Sequence, residues 1–187
     1  AWIHKKNNKF IIIDPKNFKK INIKYKKRVN AYKSINDIQI MTKFDIIIFA
    51  VKPQSIINIM KSISLNKFNS STVFISIIAG KKISFFEKYL KPKSQIVRIM
   101  PNMPALVQEG MSCSFKNKYV TTSNKNKTES LLKSIGKNIW FQDENFLDAV
   151  TAISGSGPGY FFLFIHFLEI TAMEMGFNKN IAKKLVH

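Results

Sequence analysis

Runs of consecutive apolar residues, rather than strict alternation, mark the first half of this chain. Phe10-Ile11-Ile12-Ile13 is such a run, and Asp45 to Val51, Thr72 to Ile78 and Ile96 to Met100 are mostly apolar in the same way. They predict strands buried on both faces, as in a parallel sheet. Between them, Ile56, Ile57, Ile59, Met60 and Ile63 behind Pro53, and then Ile83, Phe85, Phe86, Tyr89 and Leu90, carry helical spacing. The first of these helices is expected to start at Pro53, whose missing N–H costs nothing in a first turn. Strands alternating with helices predict an α/β domain built on a parallel sheet. Lys20 to Val29 is basic and mixed around Ile21, Ile23 and Tyr25, and leaves helix or strand open. Ser34-Ile35-Asn36-Asp37 offers an N-cap to a short helix presenting Ile38, Ile40, Met41 and Phe44. Past Pro101 the pattern softens. Met111 to Phe115 and Ile139 to Phe141 read as strands, Asn117 to Lys127 as a polar loop, and Ser130 to Ile135 as a helix closed by Gly136.

The second half is dominated by one long apolar stretch. Ser154-Gly155-Ser156-Gly157-Pro158-Gly159 leads into Tyr160-Phe161-Phe162-Leu163-Phe164-Ile165, and Gly176 stands where a helix would stop. This helix is apolar almost all round, interrupted mainly by His166, Glu169 and Glu174. It needs cover from elsewhere in the chain or from a partner subunit. The glycines ahead of it would let backbone N–H groups approach a ligand at its positive end. The same pattern equally suits a core helix with a glycine-rich lead-in turn. Asp143 can cap a preceding helix through Phe146, Leu147 and Val150, and another helix starts near Asn178. Helices therefore take over from about Asp143, dividing the chain into residues 1–142 and 143–187.

Composition narrows the class. The 187 residues, 45% hydrophobic, suit one domain and part of a second. Cys113 is the single cysteine, so no internal disulfide forms; a reducing, cytoplasmic setting fits, with Cys113 an inert core side chain. The longest apolar run, Tyr160 to Leu168, contains His166 and falls short of the roughly 20 residues that span a bilayer. The opening residues show no apolar secretory core, and no membrane association is expected. The net charge of +19 invites a nucleic-acid reading. Yet the excess is spread lysine, with only Arg28 and Arg98 as arginines, and lacks the arginine and stacking aromatics of a base reader. His4, His166 and His187 are too scattered for a metal site.

Ligands on parallel α/β sheets sit beyond the carboxyl ends of the strands. That rule selects Asp14, Ala50 to Pro53, Ile77 to Gly80 and Pro101 to Pro104. An acidic residue at a strand tip, as at Asp14, is where a dinucleotide fold holds ribose hydroxyls, although Asp14-Pro15 also makes an ordinary turn.

Four stretches in order resemble the pyrroline-5-carboxylate reductase family. They are Ala50-Val51-Lys52-Pro53, Ile77-Ile78-Ala79-Gly80, Arg98-Ile99-Met100-Pro101-Asn102-Met103-Pro104-Ala105-Leu106-Val107, and Thr151-Ala152-Ile153 followed by Ser154 to Tyr160. The resemblance implies reduction of 1-pyrroline-5-carboxylate to L-proline by hydride transfer from NADPH or NADH, the last step of proline biosynthesis. It implies a Rossmann-like parallel-sheet domain over residues 1–142, followed by the start of an all-helical dimerisation domain over 143–187. The helices of 158–187 would build a homodimer or larger homo-oligomer. Ala50, Val51, Lys52, Pro53, Ile77, Ile78, Ala79, Gly80 and Pro101 would line the cofactor. Asp14 would meet the adenosine ribose and Asn36 the adenosine side. Asn102 and the Ser154–Pro158 turn, with Ser156, would flank the nicotinamide and the imine ring, and Glu144 would stand near the substrate amine.

Imine reduction demands orientation and electrostatics more than a strong acid or base, which suits this set. A carboxylate at Asp14 favours the free 2′-hydroxyl of NADH, while Lys16, Lys19 and Lys20 could offset its repulsion of a 2′-phosphate. The family's opening Gly-x-Gly-x-x-Gly-like turn and its Gly-Gly-Thr-type carboxylate loop are not found, so the sequence reads as an internal fragment expected to be nearly inactive alone. Glu144 could equally serve as a helix N-terminal carboxylate. The competing readings are another two-domain dehydrogenase of the hydroxyacid type, which would carry a catalytic lysine absent between Tyr160 and Gly176, and a basic nucleic-acid-binding module whose binding would have to survive salt.

Overall fold

The computed structural model describes residues 8–25, 28–38, 44–64 and 68–187. Strand β1 (Phe10–Ile13) is followed by helix α1 (Phe18–Lys24) and strand β2 (Val29–Tyr32). The two strands pair in parallel, Phe10 opposite Val29. The expectation that β1 is buried on both faces does not hold: Ile11 and Ile13 are exposed. No pairing joins this two-stranded sheet to the other sheet among the described residues. Of residues 20–29, those up to Lys24 lie in α1 and Val29 opens β2, while residues 26 and 27 lie outside the described residues. Asn22 on α1 exchanges two 2.8 Å hydrogen bonds with the backbone of Ala31, a polar tie that apolar spacing cannot report. Ser34 does cap, but only a single 3-10 turn, Ile35–Asp37, closed by a capping box. Ile38 is already extended, and Ile40 and Met41 lie outside the described residues.

A five-stranded sheet follows, ordered β3 (Ile46–Phe49), β4 (Val73–Ser76), β5 (Gln95–Met100), β6 (Gly110–Lys116) and β7 (Gly136–Trp140). All its pairings are parallel except β5–β6, which is antiparallel because the short link through Pro101 and Gln108 turns the chain straight back. Helices α2 (Ile56–Ser64) and α3 (Ile83–Glu87) bury Ile56, Met60, Ile63, Ile83 and Phe86 against Phe49, Phe74 and Ile96. On the opposite face, Val73, Ile75, Val97 and Ile99 pack with Val120 and Leu132. Successive strand residues thus serve opposite faces, which is why whole runs are apolar.

Three boundaries differ from expectation. Helix α2 begins at Ile56, not Pro53; Pro53 lies in a turn closed by Ser55 N–H on the Lys52 carbonyl at 2.9 Å. Helix α4 (Thr122–Leu132) occupies much of the expected polar loop. Its buried face is Asn124, Thr128 and Leu132, one turn apart, and Asn124 donates to Ser71 O (3.0 Å) and Gln95 Oε1 (2.8 Å). A helix buried through satisfied polar side chains leaves no apolar stripe. Gly136 does not close a helix but opens β7 at φ +135°.

The helices come last: α5 (Phe146–Val150), a π-helical turn (Thr151–Gly155), α6 (Gly157–Glu174) and α7 (Lys179–Val186). Asn178 caps α7 by accepting from Ile181 N–H at 3.0 Å, and Gly176 ends the preceding turn at φ +97°. Helix α6 buries no residue; Phe161 is 72% exposed and Phe164 62%. No described helix is long and apolar enough to cross a membrane.

Candidate active site at the carboxyl strand ends

Parallel pairing brings the ends of β3 and β4 to one edge. The register sets Phe49 beside Ser76, so Ala50 to Pro53 leave the sheet next to Ile77 to Gly80, and Ile77 N–H donates to Phe49 O at 3.2 Å. Ala50, Lys52, Pro53, Ala79 and Gly80 are exposed; Val51, Ile77 and Pro101 are half-buried. Ile78 is different. Its side chain lies in the core and its N–H meets Ser76 Oγ at 3.3 Å, so only backbone at Ile78 borders this edge. Gly80 turns the chain at φ +69° with nothing within 4 Å of where a Cβ would stand. This open, largely backbone-lined edge fits a flat cofactor ring or sugar.

Glu144 comes to the same edge from the helical side. Its Oε1 accepts from Ile83 N–H, in the first turn of α3, at 2.7 Å and from Arg98 Nη1 at 3.3 Å. The helix whose N-terminus Glu144 satisfies is therefore α3, 61 residues earlier in the chain, not the helix it precedes. Arg98 sits in the middle of β5 with no exposed surface, and its Nη2 donates to Asp148 Oδ1 at 2.7 Å. A guanidinium so deeply buried demands paired charge, and the two carboxylates supply it. Lys82 Nζ adds a 2.8 Å bond to Asn145 Oδ1.

Asn102 forms the second link. Its Oδ1 accepts from Met111 N–H at 2.8 Å, closing the β5–β6 connection, and its Nδ2 donates to Ser154 Oγ at 3.1 Å. Ser154, rather than Ser156, is thus the hydroxyl that Asn102 meets. Ser156 Oγ turns inward and donates to the Thr151 carbonyl at 3.1 Å. The glycine-rich segment is not a free lead-in turn. The α5 helix runs into the π-turn, where Ser156 N–H bonds Thr151 O at 3.0 Å, and on into α6. That continuity consumes donors the sequence suggested would await a ligand at a helix start. None of Gly155, Gly157 and Gly159 has positive φ.

Asp14 and Asn36 stand at the carboxyl end of the β1–β2 pair. Asp14 Oδ1 accepts from the Lys16 and Asn17 backbone N–H groups, both at 2.9 Å, and Oδ2 from Asn17 Nδ2 at 3.1 Å. These bonds, led by the Asn17 side chain, hold its carboxyl below the usual aspartate range. Asn36 is exposed, with its N–H on Ser34 Oγ at 3.2 Å. No hydrogen bond connects either to the Glu144–Asn102 cluster among the described residues. Cys113 is buried, which pushes its thiol up, and the described residues hold no group of three or more side chains able to bind a metal.

Arg98 and Asp148 belong to the cluster, although sequence reasoning gave neither a role at the site. Two signals existed. An arginine interrupts the apolar run Ile96 to Met100, and Glu144 and Asp148 are spaced one helical turn apart.

Fold and site together define a Rossmann-like α/β chain whose strand ends are bridged to a following set of helices. Comparison with known proteins narrows this class. The family model described as pyrroline-5-carboxylate reductase dimerisation matches residues 144–187. A pyrroline-5-carboxylate reductase of Pasteurella multocida is 38% identical over 142 residues, covering 76% of this chain and 51% of that protein. One from Vibrio alginolyticus is 36% identical over 151 residues, covering 81% and 55%. The crystal structure of Plasmodium falciparum pyrroline carboxylate reductase with NADP bound aligns at a TM-score of 0.78 and 29% identity, covering 98% of this chain and 67% of that one. The chain belongs to the pyrroline-5-carboxylate reductase family. It spans about half the length of the curated relatives it matches.

Proposed function

We propose that this chain is part of an enzyme that reduces 1-pyrroline-5-carboxylate to L-proline with NADPH or NADH, the closing step of proline biosynthesis. The observation that carries the reading is the meeting of Glu144 with the first turn of α3, directly beyond the open edge at Ala79 and Gly80. In this reading residues 1–142 form the dinucleotide-binding part and residues 143–187 the helical part. Ala50 to Pro53, Ile77 to Gly80 and Pro101 hold the nicotinamide half of the cofactor, and Asp14 and Asn36 its adenosine end. The reduced nicotinamide, when bound, supplies the hydride.

The protein's own contribution is electrostatic. A protonated cyclic imine is cationic, and a carboxylate beside its nitrogen favours that form over the neutral one. Glu144 Oε1 is engaged by Ile83 and Arg98, while Oε2 has no hydrogen-bond partner among the described residues and remains for the ring N–H. As hydride adds to the C=N carbon, the π electrons pass to nitrogen, which keeps its proton and becomes the amine of proline. Asn102 and Ser154 border the ring from the other side, and Ser156 supports that turn from within. Three hydrogen bonds already engage the Asp14 carboxylate, and in this reading Lys16, Lys19 and Lys20 offset its repulsion of a 2′-phosphate.

The natural gene product, purified at full length, is expected to consume reduced nicotinamide only when 1-pyrroline-5-carboxylate is present, forming proline. Turnover with a 2-hydroxy acid or prephenate-type substrate instead would overturn the assignment. A cytoplasmic location accords with the single buried Cys113.

The partner proposed is a second copy of the chain. Tyr160, Phe161, Phe164, Phe167 and Leu168 are exposed apolar side chains at helical spacing along α6, the kind of surface that marks an interface. Light scattering at micromolar concentration should report a dimer or larger species. Phe161→Glu combined with Phe164→Glu should shift it towards monomer; a wild-type monomer would count against the proposal.

A further inference from the structure

We propose that Arg98 is the positioning residue of the imine site, clamping Glu144 so that one oxygen faces the substrate; this rests on the function proposed above. Its placement is unusual. Every neighbour in the run Ile96 to Met100 is apolar, and the guanidinium has no exposed surface. Well-packed apolar residues often serve as well as a buried ion pair for stability alone, so the charge at this position points to a role in geometry.

That geometry is a fork. Nη1 and Nη2 reach Glu144 Oε1 at 3.3 Å and Asp148 Oδ1 at 2.7 Å, two carboxylates four residues apart, one in the turn before α5 and one within it. Ile83 N–H fixes the same Glu144 oxygen from α3 at 2.7 Å. Held from two directions, that carboxylate cannot rotate freely, and Oε2 is the oxygen left to act. Four residues along the same chain, Asn102 reaches Ser154. The β5 strand and its exit thereby tie the 144–154 segment at Glu144, Asp148 and Ser154. A lysine at 98 would keep the charge, but its single ammonium cannot present the planar fork.

The test uses the full-length natural gene product with Arg98→Met and Arg98→Lys. In Arg98→Met, deuterium exchange at the Ile83 amide should accelerate about 10-fold, while amides of Phe74 and Val97 keep wild-type rates. The kcat for the imine should fall by about 10-fold or more with the cofactor KM unchanged, and Arg98→Lys should restore part of it. Should Arg98→Met fail to fold, Asp148→Asn provides the second variant. It loosens the fork at a side chain that is 52% exposed, and should give the same pattern in smaller measure. Unchanged Ile83 exchange with unchanged kcat overturns the proposal. Uniformly faster exchange across β4 and β5 also overturns it, marking Arg98 as a general strut. If wild-type protein reduces no imine while Ile83 exchange still responds to Arg98→Met, the functional reading fails and the clamp on Glu144 stands.

Discussion

Glu144→Gln is expected to lower kcat/KM for 1-pyrroline-5-carboxylate by about 10²-fold, the scale of removing one preorganised electrostatic contact to a reacting group. Glutamine keeps the shape of the side chain and an oxygen able to accept from Ile83 N–H. What it loses is the negative charge facing a cationic imine and the charge facing Arg98. Arg98 keeps Asp148 at 2.7 Å, so the variant should remain folded, destabilised by about 1–3 kcal/mol. Turnover is to be compared at a temperature where both proteins are folded by circular dichroism. A rate loss no larger than the folded fraction explains would leave Glu144 as a support for α3 and nothing more.

The second large effect concerns the sheet that carries the site. Gly136→Ala is expected to abolish cooperative folding. Gly136 sits at φ +135°, which alanine rarely adopts, and its added Cβ would overlap the Gly110 carbonyl oxygen and nitrogen. Both obstructing atoms are backbone, so no side-chain rotation relieves the overlap. Strain of that kind exceeds roughly 4 kcal/mol, a large share of the 5–15 kcal/mol that holds a domain together. Gly110 pairs with Gly136 and begins the strand whose Met111 N–H anchors Asn102, so the damage would reach the site. A urea titration showing a wild-type midpoint for Gly136→Ala would contradict this packing.

The legibility of the chain followed the physics of each element. Strands β3, β4 and β5 were readable because both their faces pack against apolar partners, leaving mostly apolar runs. Helix α4 was not, because Asn124 and Thr128 bury it through hydrogen bonds that look like loop composition in one dimension. Likewise β2, with Asn30 exposed between Val29 and Ala31, is too short to stand out from basic surroundings. Helix α6 announced its need for cover, which the described residues do not supply: its apolar side chains are exposed.

At the site the division is sharper. The sequence by itself determined the α/β alternation, the strand ends at Ala50–Pro53 and Ile77–Gly80, and the family resemblance that pointed to Asn102 and Glu144. Only the tertiary structure decided what those residues do to one another. It paired Glu144 with Ile83 and Arg98, chose Ser154 over Ser156 for Asn102, and spent the glycine-rich backbone on a continuous helix rather than an open turn. The reason is that hydrophobic periodicity is a local record of which face is dry, whereas ion pairs and side-chain bonds join positions 46 to 61 residues apart and leave no period behind.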